Sequence, residues 1–301
     1  MISSLSPASQ NFLAGLNQIR QRLQTAQTQL TTGLQINQVS DDPTQIADLW
    51  QTRSQLDQAQ QIGANLVQVQ TEVGTAQSAL ESAVTLVQRA ETLGTEGATD
   101  TADATTREDL AGELGSILQE LVATANTSVQ GRYIFSGDSD QTSPYSIDLT
   151  QASPISAYQG FSSTRQIQSP DGTAFPIALT AQQIFDSPNA QESVFTSINN
   201  LREGLLNNDD AAINSAISDV QSADTYLNQQ LAFYGTAQNR VDAAVSFGQN
   251  YVTQLQTQLS GVEDANEAQS ITDMTQAQTQ LQAALQSEAS LPKTTLFDYL
   301  G

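Results

Sequence analysis

The chain has 301 residues with 32 acidic side chains, 10 basic ones, no histidine and no cysteine, for a formal net charge of -22. Ordinary zinc centres, Cys/His nucleophiles and Ser-His-Asp triads all need an imidazole or a thiolate, so the composition excludes them. The acidity argues against nucleic acid as a partner, and 38% apolar residues is lean beside the ~45–50% of ordinary globular domains.

The first ten residues carry neither a basic region nor an apolar one, so no cleaved secretory signal is expected. No run approaches the ~20 apolar residues of a membrane span, which argues against membrane insertion. The first periodic run is Phe12, Leu16, Ile19, Leu23, Ala26 and Leu30. Its alternating steps of four and three predict an apolar seam on a coiled-coil-like helix, with Gly33 as the stop. Asp42 before Pro43 pairs an N-cap acceptor with the residue suited to the first helical position. A second helix is expected from there to about Leu93, its seam carried by Leu66, Val69, Val73, Ala76 and Leu80. Residues 94–104 read as a loop. Thr105 with Glu108, or Thr106 with Asp109, offers a capping box for a third helix faced by Leu110, Leu114, Ile117 and Leu121.

Composition changes at Gly131. Five of the eight prolines fall between Pro144 and Pro188, and Arg132-Tyr133-Ile134-Phe135 has strand character, so residues 132–189 read as a small β-rich insert. Helical pattern resumes near Ser193. After the caps Asp209 and Asp210 a seam of steps three and four runs from Ile213 to Val262, interrupted by Asp224, Gln238 and Gly248. Polar residues at such positions fix register or mark a change of partner. A final seam of Ile271, Met274, Leu281 and Leu285 ends before Pro292.

The expected fold is mainly α with that β-rich insert. Residues 1–42 form an N-terminal coiled-coil helix paired with 255–301, and residues 43–131 with 190–254 form a helical rod domain. Antiparallel packing lets the two terminal helices cover each other's stripes. A two-helix pair still leaves apolar surface open, which points to assembly with other subunits. The expected assembly residues are Phe12, Leu16, Ile19, Leu23, Leu30, Ile271, Leu281 and Leu285. To these belongs a tail, Leu296, Phe297, Tyr299 and Leu300, too apolar to stay in water and so expected to dock.

Candidate chemical sites are weak. Asp41-Asp42 is better explained as a helix cap than as an acid/base pair. Asp138 and Asp140 lack the rest of a calcium loop. Asn126-Thr127-Ser128 matches a glycosylation triplet but lies on a predicted helix. No catalytic residue, metal or cofactor is expected. The aromatics Tyr133, Phe135, Tyr145, Tyr158 and Phe161 could line a glycan-binding face, though a small insert core explains them more simply.

Several segments together resemble the bacterial flagellin superfamily, and within it the flagellin-like hook–filament junction proteins. Gln29-Leu30-Thr31-Thr32-Gly33-Leu34-Gln35-Ile36-Asn37 is similar to a segment that flagellins and junction proteins share. Ser40-Asp41-Asp42-Pro43, Gly131-Arg132-Tyr133-Ile134-Phe135-Ser136-Gly137, Leu259-Ser260-Gly261-Val262-Glu263-Asp264 and Leu296-Phe297-Asp298-Tyr299-Leu300 resemble the junction form. The resemblance covers roughly residues 1–140 and 190–301. It implies a structural protein with no enzymatic activity, exported by the flagellum's own type III apparatus, with an export chaperone and without a cleaved signal. Such a protein sits outside the cell, assembles with itself, and joins a hook-side junction protein to flagellin. A filament-forming flagellin and an adhesive, glycan-binding helical protein are the alternatives.

Overall fold

The computed structural model describes residues 7–151, 153–168 and 172–289. Its order is α1 (Pro7–Thr32), α2 (Ile46–Gly97), α3 (Ala104–Ala125), β1 (Ser128–Val129), β2 (Arg132–Tyr133), β3 (Gln166–Gln168), β4 (Ala174–Pro176), α4 (Ala181–Phe185), α5 (Val194–Leu206), α6 (Asp210–Glu263) and α7 (Glu267–Ala289). The mainly α class read from the sequence is the class observed. The chain divides into two compact units, Met1–Gln58 with Tyr251–Gly301, and Ala59–Asn250; α2 and α6 contribute to both.

In the first unit α1 stops at Gly33, whose φ of 72° suits glycine and whose N–H donates to the Gln29 carbonyl at 2.8 Å. The connection to α2 is built by two carboxylates. Asp41 Oδ2 accepts from the N–H groups of Asn37 and Gln38, and Asp42 Oδ1 accepts from Thr44 N and Gln45 N. The Thr44 hydroxyl on Asp42 is the main reason its carboxyl titrates below the usual range. Capping, not acid/base work, accounts for the pair. The helix expected from Pro43 begins only at Ile46, because residues 42–45 make a turn closed by Ile46 N on the Asp42 carbonyl at 3.2 Å.

In the second unit α2 and α6 run antiparallel. Gln70 Nε2 reaches Asp242 Oδ1 at 2.7 Å, and Gln221 Nε2 reaches Glu91 Oε1 at 2.7 Å. Leu66, Leu80, Leu93, Ile213, Val220 and Leu227 are buried between them and their neighbours. α3 packs on α5. The cap of α3 is Asp103, which accepts from Thr106 N at 2.8 Å. Neither Thr105 nor Thr106 caps it, because the extended backbone that a cap needs occurs at Asp103, two and three residues earlier. α2 runs on to Gly97, which shortens the expected loop to six residues; there Arg107 donates to the Gly97 carbonyl at 3.0 Å and pairs with Asp210 at 2.6 Å.

The interruptions in α6 have particular partners. Gln238 Nε2 donates to Asp242 at 2.9 Å. Asp224 accepts from Asn228, while burial, and then the nearby Glu91 carboxylate, raise its pKa. A carboxyl whose folded pKa is raised holds its proton more tightly in the fold. Its contribution to stability is therefore full below the unfolded pKa and lost as pH rises through the folded one. Asp224→Asn should raise the urea midpoint modestly at pH 7 and flatten that acid-side slope. An unchanged midpoint and slope would contradict this.

The insert holds less β-structure than its sequence predicts. Among the described residues it has two short antiparallel ladders, β1–β2 and β3–β4, and strand character ends at Tyr133 instead of continuing to Phe135. Prolines supply no N–H to a ladder. The stretch around Pro144 and Pro154 pairs instead through single bonds, such as Asp148 N to the Pro154 carbonyl at 2.7 Å and Gln159 N to the Pro144 carbonyl at 3.0 Å. The β1–β2 hairpin turns on Gln130 and Gly131, both with positive φ, the conformation of a tight two-residue loop. Phe135 and Tyr145 are core residues: Phe135 meets Phe185 and Tyr234 edge-on, and Tyr145 meets Phe195. Only Phe161 among the five aromatics is an exposed large side chain. Asp140 accepts from Arg132 at 2.7 Å. Both amide atoms of Asn126 are bonded to the Tyr145 backbone.

Candidate functional site

No group of three or more metal-binding side chains exists among the described residues, and no helix there is long and apolar enough to cross a membrane. The candidate site is therefore the surface offered by the terminal helices. α1 and α7 pack together and run antiparallel. The end of α1 meets the start of α7, where Ser270 Oγ donates to Gln29 Oε1 at 3.2 Å.

Just beyond, two segments that carry the family resemblance meet. Leu34 bridges Asp264, Gln35 N donates to the Glu263 carbonyl at 2.6 Å, and Ala265 N donates to the Gly33 carbonyl at 2.8 Å. The buried Glu263 also holds Arg53 in an ion pair. Sequence patterning missed this crossing, because it joins residues more than two hundred positions apart.

The structure splits the expected assembly residues. On α1, Leu16 and Ala26 are buried, and Phe12, Ile19, Leu23 and Leu30 are half-buried. On α7 the residues buried with them are Ser270 and Ala277, with Met274 and Leu281 half-buried. Ile271 and Leu285, expected in the covered seam, are 51% and 49% exposed. α7 thus turns toward α1 a stripe whose fully buried members are the small Ser270 and Ala277, with Met274 and Leu281 half-buried beside them. The four tail residues Leu296, Phe297, Tyr299 and Leu300 lie outside the described residues. With so thin a shared core, the amides of α1 and α7 in the purified chain should exchange at least ~100-fold faster than those of residues 66–93. Equal protection of the two regions would contradict that expectation.

Residues 2–140 match the bacterial flagellin N-terminal helical region, and residues 211–300 match the flagellin C-terminal helical region. A flagellin of Clostridium tyrobutyricum is 27% identical over 128 residues, 42% of this chain. The chain spans only 34% of that flagellin's length. A protein described as flagellar hook-associated, from Vibrio parahaemolyticus, matches with a TM-score of 0.66 at 17% identity, covering 74% of this chain and 100% of its own. FlgL of Xanthomonas campestris matches at 0.59 and 18% identity, over 68% of this chain and 98% of its own. The flagellar junction protein FlgL of Legionella pneumophila matches at 0.55 and 13% identity, over 64% and 98%. These structural likenesses bear on the fold, whereas the two sequence matches take in both helical ends. The chain belongs to the bacterial flagellin family.

Proposed function

We propose that this chain is a structural subunit of the bacterial flagellum that joins the hook to the flagellin filament. The observation that carries the reading is the terminal pair, whose helices cover one stripe of each other and leave large apolar side chains of α7 uncovered. A subunit of that kind completes its core only among neighbours, and its function is geometric. The junction form of Gly131–Gly137, and fold neighbours described as hook-associated and junction proteins, support the hook–filament position. On this reading the partners are further copies of the chain, a hook-side junction protein and flagellin. The chain leaves the cell through the flagellar type III apparatus, escorted by a chaperone and without a cleaved signal.

The match to a flagellin keeps one second reading, a filament-forming subunit. Adding the purified chain to isolated hooks separates the two. A junction subunit adds a short collar and stops, after which flagellin elongates from it. Unlimited growth of the chain by itself would establish the second reading and reject the first.

A further inference from the structure

Two buried polar atoms have no hydrogen-bond partner among the described residues and belong to side chains that line one cavity: the Tyr145 hydroxyl and Asn199 Oδ1. The cavity lies in the second unit and holds about 330 Å³. Tyr145 is 2% exposed. A buried polar group left without a partner keeps its desolvation cost, so folding alone does not satisfy this pair. Burial, and then the nearby Asp186 carboxylate, raise the pKa of the Tyr145 hydroxyl. Its proton therefore stays on oxygen, where it can be donated.

The walls are fixed by the fold. On α5, Phe195, Asn199 and Glu203 recur every four residues and so share one face. Asn199 Nδ2 donates to Glu203 Oε1 at 3.0 Å, which orients the amide and leaves its oxygen without a donor. Asp186, directly after α4, lines the same cavity. The insert supplies the other walls. Asn126 holds both backbone groups of Tyr145, at 2.8 and 3.1 Å, and the Tyr145 ring meets Phe195 edge-on with centroids 5.1 Å apart. Ile155 bridges Ile147, and Ser156 N donates to the Ser146 carbonyl at 2.9 Å. Walls held in this way need little ordering when a ligand enters.

A matching ligand brings donors for Asn199 Oδ1 and the carboxylates, and an acceptor for the Tyr145 O–H. A cation brings donors only and leaves that O–H unmatched. Nor do the two carboxylates by themselves call for a cation, because 32 acidic side chains face 10 basic ones in this chain and Glu203 is exposed to water. Both carboxylates repel an anion. A hydroxyl donates and accepts at once, and several of them on one small ring meet all of these groups. Tyr145, Phe195 and Ile155 offer an apolar flank to the C–H groups of such a ring. The volume is at the small end for ligand cavities, which suits one ring better than a long chain.

We propose that this cavity binds a neutral polyhydroxyl ring, either a free monosaccharide or the terminal sugar of a glycan. Tyr145 donates to one ring hydroxyl, and Asn199 Oδ1 and Asp186 accept from others. The binding goes beyond the junction role and does not depend on it.

Calorimetric titration of the full-length chain with D-glucose, D-galactose, D-mannose and N-acetyl-D-glucosamine tests the proposal, with agmatine as a cationic control. At least one sugar should bind saturably and without salt dependence. Tyr145→Phe and Asn199→Ala should each weaken that binding about tenfold or more, since each removes a hydrogen bond to a buried hydroxyl. Tyr145→Phe should at the same time leave the urea midpoint unchanged or higher, because the hydroxyl it removes has no partner in the fold. A lower midpoint would show that the hydroxyl is already satisfied and would overturn the proposal. So would the absence of saturable binding by all of these sugars, or binding indifferent to both substitutions. Salt-sensitive binding of agmatine in place of the sugars would assign the cavity to cations and overturn it equally. Oligosaccharides ending in the preferred sugar separate the two sources. Equal affinity for them supports glycan ends, and binding of the free sugar alone supports a dissolved monosaccharide.

Discussion

Replacing Arg165 by alanine should destabilise the second unit by about 3 kcal/mol, since a buried carboxylate that loses its cation keeps its desolvation cost. Arg165 lies in the insert, next to β3, and its guanidinium pairs with Glu72 Oε2 at 2.6 Å. Glu72 sits on α2 and its side chain is almost fully buried, with Gln68, at 3.4 Å, as its second donor among the described residues. Removing the cation alone strands the charge. Removing both partners should cost far less, so Arg165→Met combined with Glu72→Met should recover most of the loss. Urea unfolding of the full chain reads both. An Arg165→Ala midpoint within experimental error of the parent would show that the pair is solvated and that the insert is not pinned there.

Gly137→Ala should cost about 3 kcal/mol or more, whereas Gly131→Ala, in the same segment, should cost about 1 kcal/mol. Both glycines have positive φ, 62° and 78°, so both substitutions meet backbone strain. They differ in surroundings. A Cβ at Gly131 meets nothing within 4 Å, but at Gly137 it would lie 2.1 Å from the Phe161 carbonyl oxygen and 2.7 Å from that of Ser163. Those are backbone atoms held in place, since Phe161 N donates to the Ser136 carbonyl at 3.0 Å. Relief requires moving the chain away from the core around Phe135. Equal costs at the two glycines would mean that this close approach does not govern the segment.

These two positions mark where the sequence stopped being readable. The seam of α1, its stop at Gly33, the return of helix near Ser193 and the long run of α6 follow from local spacing, and each lies where that spacing puts it. The Gly131–Gly137 segment stood out as a motif, yet what it does depends on Phe161 and Ser163, which patterning does not connect to it. The Glu72–Arg165 pair joins residues 93 positions apart and leaves no periodic trace. On α7 the seam read from the sequence runs through Ile271, Met274, Leu281 and Leu285. The fold selected Ser270 and Ala277, whose smallness allows close packing against α1. Met274 and Leu281 belong to both sets and are half-buried, so periodicity alone could not choose which residues flank them. In the insert, prolines supply no N–H of their own to a ladder, and the stretch around Pro144 and Pro154 pairs through single bonds.

The measurement that bears most directly on the central claim is deletion of this gene in its host, with hooks and medium inspected together. A junction subunit predicts hooks that persist without filaments while intact flagellin accumulates in the medium, reversed when the full-length chain is restored. Deleted cells that still carry normal filaments on their hooks would contradict a role in joining the two.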